Sequence, residues 1–311
     1  MSSDKTVSIW KWPAIILGSV LAFWLLLFVI DWVGSRATPQ AGEIGIVRNG
    51  PDFLWAPAWF NGHGVRSVVP PSSGSTYIGL GSSVHWYPAD SVQRNYTITS
   101  DPNRGDRPGV DVVEVPTADG VRVGLEGTFY FTTNFNASPA GQASLRDFDS
   151  RFGVRTFAVV GSNGNELHPW EGIDGWEAFL DTVVRPIIDN DLRRSIAGVS
   201  CSQLVSSCAL VHNQNVSALH GNNNNAEIQA IQDQINASLE SDIKATLGQD
   251  YFSNVQFLLA RVTLPDAIQS QIDNAQAQYA SVGAAAAEVQ KNIQPSQPSQ
   301  PSQPSQLRRK N

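Results

Sequence analysis

Apolar positions along this 311-residue chain change their period several times, and each change marks an element. The first stretch has no period at all. From Trp12 to Ile30 no residue is charged, and about 20 apolar residues at ~1.5 Å rise each cross a bilayer core as a helix. Lys11 and Asp31 bracket the run, and Pro13 falls in the first turn, where a missing N–H is tolerated. Trp10, Trp12 and Trp32 stand where an interfacial aromatic belt belongs. The pattern predicts a transmembrane helix over residues 12–33 behind a polar leader at 1–11. The competing reading is a cleaved signal peptide, whose apolar region is usually ~7–15 residues and ends at a small-residue site not evident here.

After a Gly/Ser/Pro linker the period becomes two. Residues 43–48 (EIGIVR) read as a strand that stops at the turn signal Asn49-Gly50-Pro51, and 67–69 as a strand stopped by Pro70-Pro71. Residues 91–100 (SVQRNYTITS) and 110–116 (VDVVEVP) alternate again. Asp119-Gly120 separates the latter from 121–131 (VRVGLEGTFYF), which is a strong hairpin signal.

The period then shifts to that of a helix. Between Asp174 and Gly198 the apolar positions Trp176, Phe179, Leu180, Val183, Val184, Ile187, Ile188, Leu192 and Ile196 lie on one face, with Pro186 expected to kink it. A second ridge runs Ile228, Ile231, Ile235, Leu239, Ile243, Leu247 and stops at Gly248. Residues 251–263 read as a buried strand. A third helix opens at Leu264-Pro265-Asp266, with Pro265 well placed at an N-terminus. Its apolar positions Ile268, Ile272, Ala275, Tyr279, Val282, Ala286, Val289 and Ile293 keep a 4-3 spacing throughout, a heptad seam that asks for a partner helix. The competing reading is a surface helix packed on its own domain. Residues 294–311 are built on a Pro-Ser-Gln repeat that can bury no core and should be a disordered tail.

Composition narrows the functional classes. The formal net charge is −7, which argues against a nucleic-acid partner, since that needs a basic patch or stripe. Lys5 and Lys11 before the span balance Arg36 and Arg48 after it, so positive charge does not orient the anchor. Cys201 and Cys208, seven positions apart, are a candidate disulfide that needs an oxidising compartment. They favour a cytoplasmic N-terminus and an extracytoplasmic body, two reduced buried thiols being the alternative. With His212 and His220 they form the one candidate metal set, but the gaps are wider than zinc spacing. Asp101 and Asp106 do not fit a calcium loop. Gly79-Leu80-Gly81 lacks the third glycine of a dinucleotide fingerprint and reads as a turn. Arg104-Gly105-Asp106 likewise reads as a turn. Asn95, Asn136, Asn215 and Asn236 head glycosylation sequons. No nucleophile elbow, phosphate loop or H-E-x-x-H zinc motif occurs, and neither an enzyme activity nor a cofactor is expected.

Three short motifs carry a resemblance. Val115 to Val123 (VPTADGVRV), with Thr117, Asp119 and Gly120, resembles the T-x-D-G-v-x-v hairpin of the band-7 (SPFH; stomatin/prohibitin/flotillin) proteins. Arg185-Pro186 resembles that family's V-R-P helix, and Leu264-Pro265-Asp266-Ala267-Ile268 its l-P-e-x-v entry into a long helix. They occur in the family's order, behind an anchor and an opening strand at Gly42–Ile46, and the likeness covers about residues 41–292. It implies an α+β fold in which an SPFH domain at 41–265 is β-rich over about 41–135 and α/β over 136–265. A coiled-coil helix at 266–293 follows. It also implies lateral homo-oligomers on a lipid bilayer that organise a membrane microdomain, with membrane-anchored proteases among the partners. The last helix is short for the family and 200–225 reads as an inserted polar loop, so the resemblance does not extend to a large closed cage and leaves a smaller ring or a lateral patch open. The alternative function is a single-pass anchored ectodomain that binds a ligand, with the aromatic stretch 53–60 (FLWAPAWF) and the cysteine loop as its surface.

Overall fold

The computed structural model describes residues 11–49, 64–79, 82–210 and 224–293. Helix α1 spans Lys11–Gly34. Its side chains from Ile15 to Val29 and at Val33 are exposed. Among the described residues, no helix is long and apolar enough to cross a membrane. Trp10 and the side chains of Trp12 and Trp32 lie outside the described residues, as do the aromatic stretch 53–60 and the repeats at 294–311.

Beyond the linker come β1 (Arg36–Ala37), β2 (Glu43–Arg48), β3 (Val65–Val69), β4 (Thr76–Tyr77) and β5 (Ser83–Pro88). Strands β3, β2 and β5 form one antiparallel sheet with β2 in the middle, and β1 pairs with β4. The turn read from Gly79 onwards, GLGSSV over 79–84, thus runs into strand β5, which takes up Ser83 and Val84. The following strands are β6 (Arg94–Ile98), β7 (Val113–Pro116) and β8 (Arg122–Thr133), then α2 (Pro139–Phe148) and a π-helical turn at Asp149–Gly153. Next come β9 (Phe157–Ala158), β10 (Glu166–Leu167), α3 (Gly172–Phe179), α4 (Arg185–Ile196), α5 (Cys201–Leu204), α6 (Asn224–Leu247), β11 (Phe252–Thr263) and α7 (Asp266–Ile293).

Strand β8 organises the second sheet. One of its edges pairs with β11 along its whole length, and the other pairs with β6 and then β7, all antiparallel. The expected hairpin is therefore present, with Pro116 opposite Arg122. Pairing of β8 with β11 also carries one sheet across residue 135, where a β-rich half was expected to give way to an α/β half. Gly127 marks a close approach of the two strands, because a Cβ there would stand 2.6 Å from the Leu258 carbonyl oxygen.

The core is one cluster centred on Phe148. Its ring meets Tyr87, Phe179 and Tyr251 edge-on at centroid distances of 5.6, 5.1 and 5.3 Å, a geometry that adds to the gain from burial. Strand β5, α2, α3 and the start of β11 are thereby joined. The α6 ridge from Ile231 to Leu247 is buried and packs on α4 and β11, and Gly248, at φ +78°, ends the helix.

Two readings need correction. The single kinked helix expected over 174–198 is α3 and α4 joined by a π-helical turn at Leu180–Val184. Pro186 has no N–H, and its ring crowds the carbonyl four residues back. Widening the turn just ahead of it removes that conflict and keeps the chain helical on both sides. The stretch 200–225, expected as a plain loop, contains α5 and a 3₁₀ turn at Ser206–Leu210.

Candidate functional site

The family-like hairpin turn, the cysteine segment and the start of the last helix meet at one place. Gly120, at φ +79°, closes the turn, and its N–H donates to the Thr117 carbonyl at 2.9 Å. A side chain at that position would be strained by the left-handed backbone. Thr117 Oγ1 donates to the Val121 carbonyl at 2.8 Å. With its own local bonds satisfied, the turn reaches outward. The Ala118 N–H donates to the Val199 carbonyl at 2.8 Å, and the Asp119 carboxylate accepts the Cys201 N–H at 3.0 and 3.1 Å. Asp119 thus fixes the first residue of α5.

Cys201 and Cys208 are joined as a disulfide with Cα atoms 5.7 Å apart, and both are buried in the core cluster. The cross-link folds α5 and the 3₁₀ turn into a compact step, and the base of α7 rests on that turn. Chain-entropy reasoning for a loop this short gives a disulfide about 2.5 kcal/mol of stabilisation. Cys201→Ser/Cys208→Ser should therefore lower the denaturant midpoint by that free energy. Dithiothreitol should bring the wild type down to the same level and leave the variant unmoved.

Helix α7 is preceded by Pro265, whose carbonyl accepts the N–H groups of Ile268 and Gln269 at 2.9 and 3.0 Å. The seam divides into two parts. Ile272 is fully buried on the step, and Ile268 and Ala275 are half-buried beside it. Tyr279, Val282 and Val289 are 42%, 65% and 57% exposed, Ala286 is exposed, and so is every other residue from 276 to 292. The side chain of Ile293 lies outside the described residues. The helix, 28 residues long at 3.6 residues per turn, thus sits on its own chain for about three turns and leaves it for the remaining five or so.

Arg185 is not part of this cluster. Only 4% exposed, it holds Asp111 with both Nη atoms at 2.6 and 2.9 Å and Asp189 through Nε at 2.6 Å. Burial works against its charge, but Asp189 and Asp111 outweigh this and hold its pKa above the usual arginine value. Arg107 adds contacts to Asp111 and Asp181 at 3.6 and 3.5 Å. This network locks α4 to the segment entering the hairpin.

A second buried ionic centre escaped sequence reasoning. Asp149, with no exposure, accepts from Arg48 Nε and Nη2 at 2.8 and 2.5 Å, from His85 Nδ1 at 2.9 Å and from the Tyr87 hydroxyl at 2.6 Å. Burial raises its pKa, but the hydrogen bonds from His85, Tyr87 and Arg48 prevail and hold it below the usual aspartate range. Trp170 stacks on the His85 ring at a centroid distance of 3.9 Å.

The remaining candidates resolve simply. Arg104-Gly105-Asp106 lies in the loop between β6 and β7, where the Asp106 carboxylate accepts the Thr97 N–H. Asn236 accepts the Phe257 N–H at 2.7 Å and so ties α6 to β11. His212, His220 and Asn215 lie outside the described residues. Among the described residues, no group of three or more His, Cys, Asp and Glu side chains is arranged to hold a metal ion.

No curated protein matches the chain. The family model for the SPFH domain / Band 7 family matches residues 40–293, from the linker after α1 through the hairpin, the disulfide step and the whole of α7, and the chain belongs to that family.

Proposed function

We propose that this protein is a membrane-anchored scaffold whose copies associate side by side through the free part of α7. The observation that carries the reading is the outer seam. Tyr279, Val282, Ala286 and Val289 keep heptad spacing on a helix that has left its own domain, so none of the described residues of the same chain covers them. A seam of valines and alanines is weak for an isolated pair. Anchoring supplies what it lacks, since copies held at one depth and orientation meet at a raised effective concentration.

The anchor in this reading is α1. It is 24 residues long, about 36 Å at 1.5 Å per residue, and its sequence is uncharged from Trp12 to Ile30. The buried Cys201–Cys208 bridge supports an extracytoplasmic body and a cytoplasmic N-terminus. The assembled surface would organise a patch of membrane and gather or fence a client, for which a membrane-anchored protease is the proposed class. Family membership is consistent with a membrane-associated scaffold role.

The test is Val282→Asp/Val289→Asp in the full chain. Both sites are exposed, so folding should be unaffected. Wild-type protein in mild detergent should migrate as a large assembly and the variant as a monomer, read by light scattering and cross-linking. A monomeric wild type, or a variant of unchanged size, would sink the proposal. Deletion of 266–293 separates it from a ligand-binding ectodomain, whose binding would survive the cut.

A further inference from the structure

A cleft of about 660 Å³ lies between the β2–β5 sheet and α3. Its contents are not those of an ordinary surface hollow. Three tryptophans line it, Trp86, Trp170 and Trp176, together with three carboxylates, Glu43, Asp106 and Glu177. Aromatic faces and carboxylates together are the surroundings in which an organic cation is held. Glu177 is also poorly compensated. Burial, helped by Asp106, Asp174 and Asp181, raises the pKa of Glu177 to about 7, so its ionised form is short of compensating charge.

Two donors at the same cleft lack an acceptor. Trp176 is only 7% exposed, and among the described residues neither its indole N–H nor the Arg94 Nε–H has a partner. Buried donors are nearly always satisfied in folded proteins, so an orphan pair at one cleft calls for an explanation. A cation alone does not provide it. A ligand with a positive group at one end and an oxygen acceptor at the other does.

We propose that this cleft binds an amino-alcohol headgroup, with its ammonium against the tryptophans and carboxylates and its hydroxyl or phosphate-ester oxygen towards Trp176 and Arg94. The ligand comes either from a membrane lipid or from a free amino alcohol. The lipid source is geometrically accessible, because Thr38 and Gln40 line the cleft and follow the end of α1 at Gly34 by at most six residues, about 20 Å of extended chain. Only that choice of source depends on the anchored reading.

The test uses the full chain in detergent, titrated with O-phosphoethanolamine and ethanolamine and read by tryptophan emission. A saturable change is expected, weakened at least about tenfold in Glu177→Gln and also in Trp176→Phe, which keeps the ring but not the N–H. Binding to the wild type should weaken from pH 8 to pH 6 as Glu177 takes up a proton. The groups facing it are Asp106 from the loop after β6, Asp174 on α3 and Asp181 in the π turn, with Glu43 and Arg94 across the cleft. Glu177→Gln removes a disfavoured charge, so its melting temperature at pH 8 should equal or exceed that of the wild type, and lost binding cannot then be lost folding. No saturable response, or equal affinity in Glu177→Gln, overturns the proposal. Nanodiscs of phosphatidylglycerol, with and without phosphatidylethanolamine, then identify the source. Competition by the phosphatidylethanolamine discs assigns the lipid, and its absence assigns the free amino alcohol. Both results support the cleft, since the detergent titration stands independently of any membrane.

Discussion

Asp149→Ala should be among the most destabilising single substitutions in this chain. The carboxylate is completely buried and is the shared acceptor for Arg48, His85 and Tyr87. Removing it leaves a guanidinium, an imidazole N–H and a buried phenol without an acceptor at one point. Breaking a buried ion pair from one side typically costs about 3–5 kcal/mol, because the remaining group keeps its desolvation penalty. For a domain of this size that corresponds to a fall of roughly 6–20 °C in melting temperature. Asp149→Asn should be milder, since it keeps the volume and one acceptor oxygen.

The pH dependence has a definite sign. The pKa of Asp149 lies below the usual aspartate value in the folded protein, so the ionised form favours folding. That contribution is complete above the unfolded aspartate pKa of ~3.9 and is lost as pH falls through the lower folded value. The stability gap between wild type and Asp149→Asn should therefore be constant from pH 7 to about 5 and close towards pH 2, read as denaturant midpoints. A gap below about 1 kcal/mol at pH 7 would show that the centre is not the tie between the first sheet and α2 that its geometry indicates.

What the sequence revealed and what it hid divide along physical lines. The β7–β8 hairpin is local: one Asp-Gly between two alternating runs specifies both turn and register. Helix α6 is also local, since its ridge has one period and a glycine stop. Helix α2 has only Leu145 and Phe148 as buried large apolar residues, too few for periodicity to register. Its one usable signal is the cap, where Ser138 Oγ accepts the Gly141 N–H ahead of Pro139. The Asp149 centre offered no local signal, because its partners are 101, 64 and 62 positions away. The cleft is equally non-local, assembled from β2, β5, β6 and α3.

The last helix shows the limit of a correctly read pattern. Its heptad spacing says that one face needs cover and does not say what covers it. Own-chain packing takes the first three positions and leaves four of the next ones free. The division is set by where the disulfide step ends, and that step lies in the segment that sequence reading treated as an insertion.

Arg185→Ala should match Asp149→Ala in cost, about 3–5 kcal/mol, and its variants separate charge from geometry. Asp111 is 6% exposed and held by a two-pronged contact, so the alanine variant strands a buried carboxylate. Arg185→Lys keeps the charge but cannot make a planar fork, and should recover only part of the loss. In a double-mutant cycle, Arg185→Met with Asp111→Leu should be more stable than Arg185→Met alone, because the second change removes the unpaired charge created by the first. An additive double variant would mean that the pair contributes nothing as a pair. The cycle also explains why arginine and proline stand together here. Pro186 requires the widened turn at Leu180–Val184, and the next contact after that irregularity is the Arg185 lock on Asp111, two residues before the first strand of the hairpin. Loosening the lock should therefore reach the Asp119 turn and the step beneath α7. Arg185→Ala, although far from the seam, should weaken assembly along with stability, whereas Val282→Asp/Val289→Asp should weaken assembly alone.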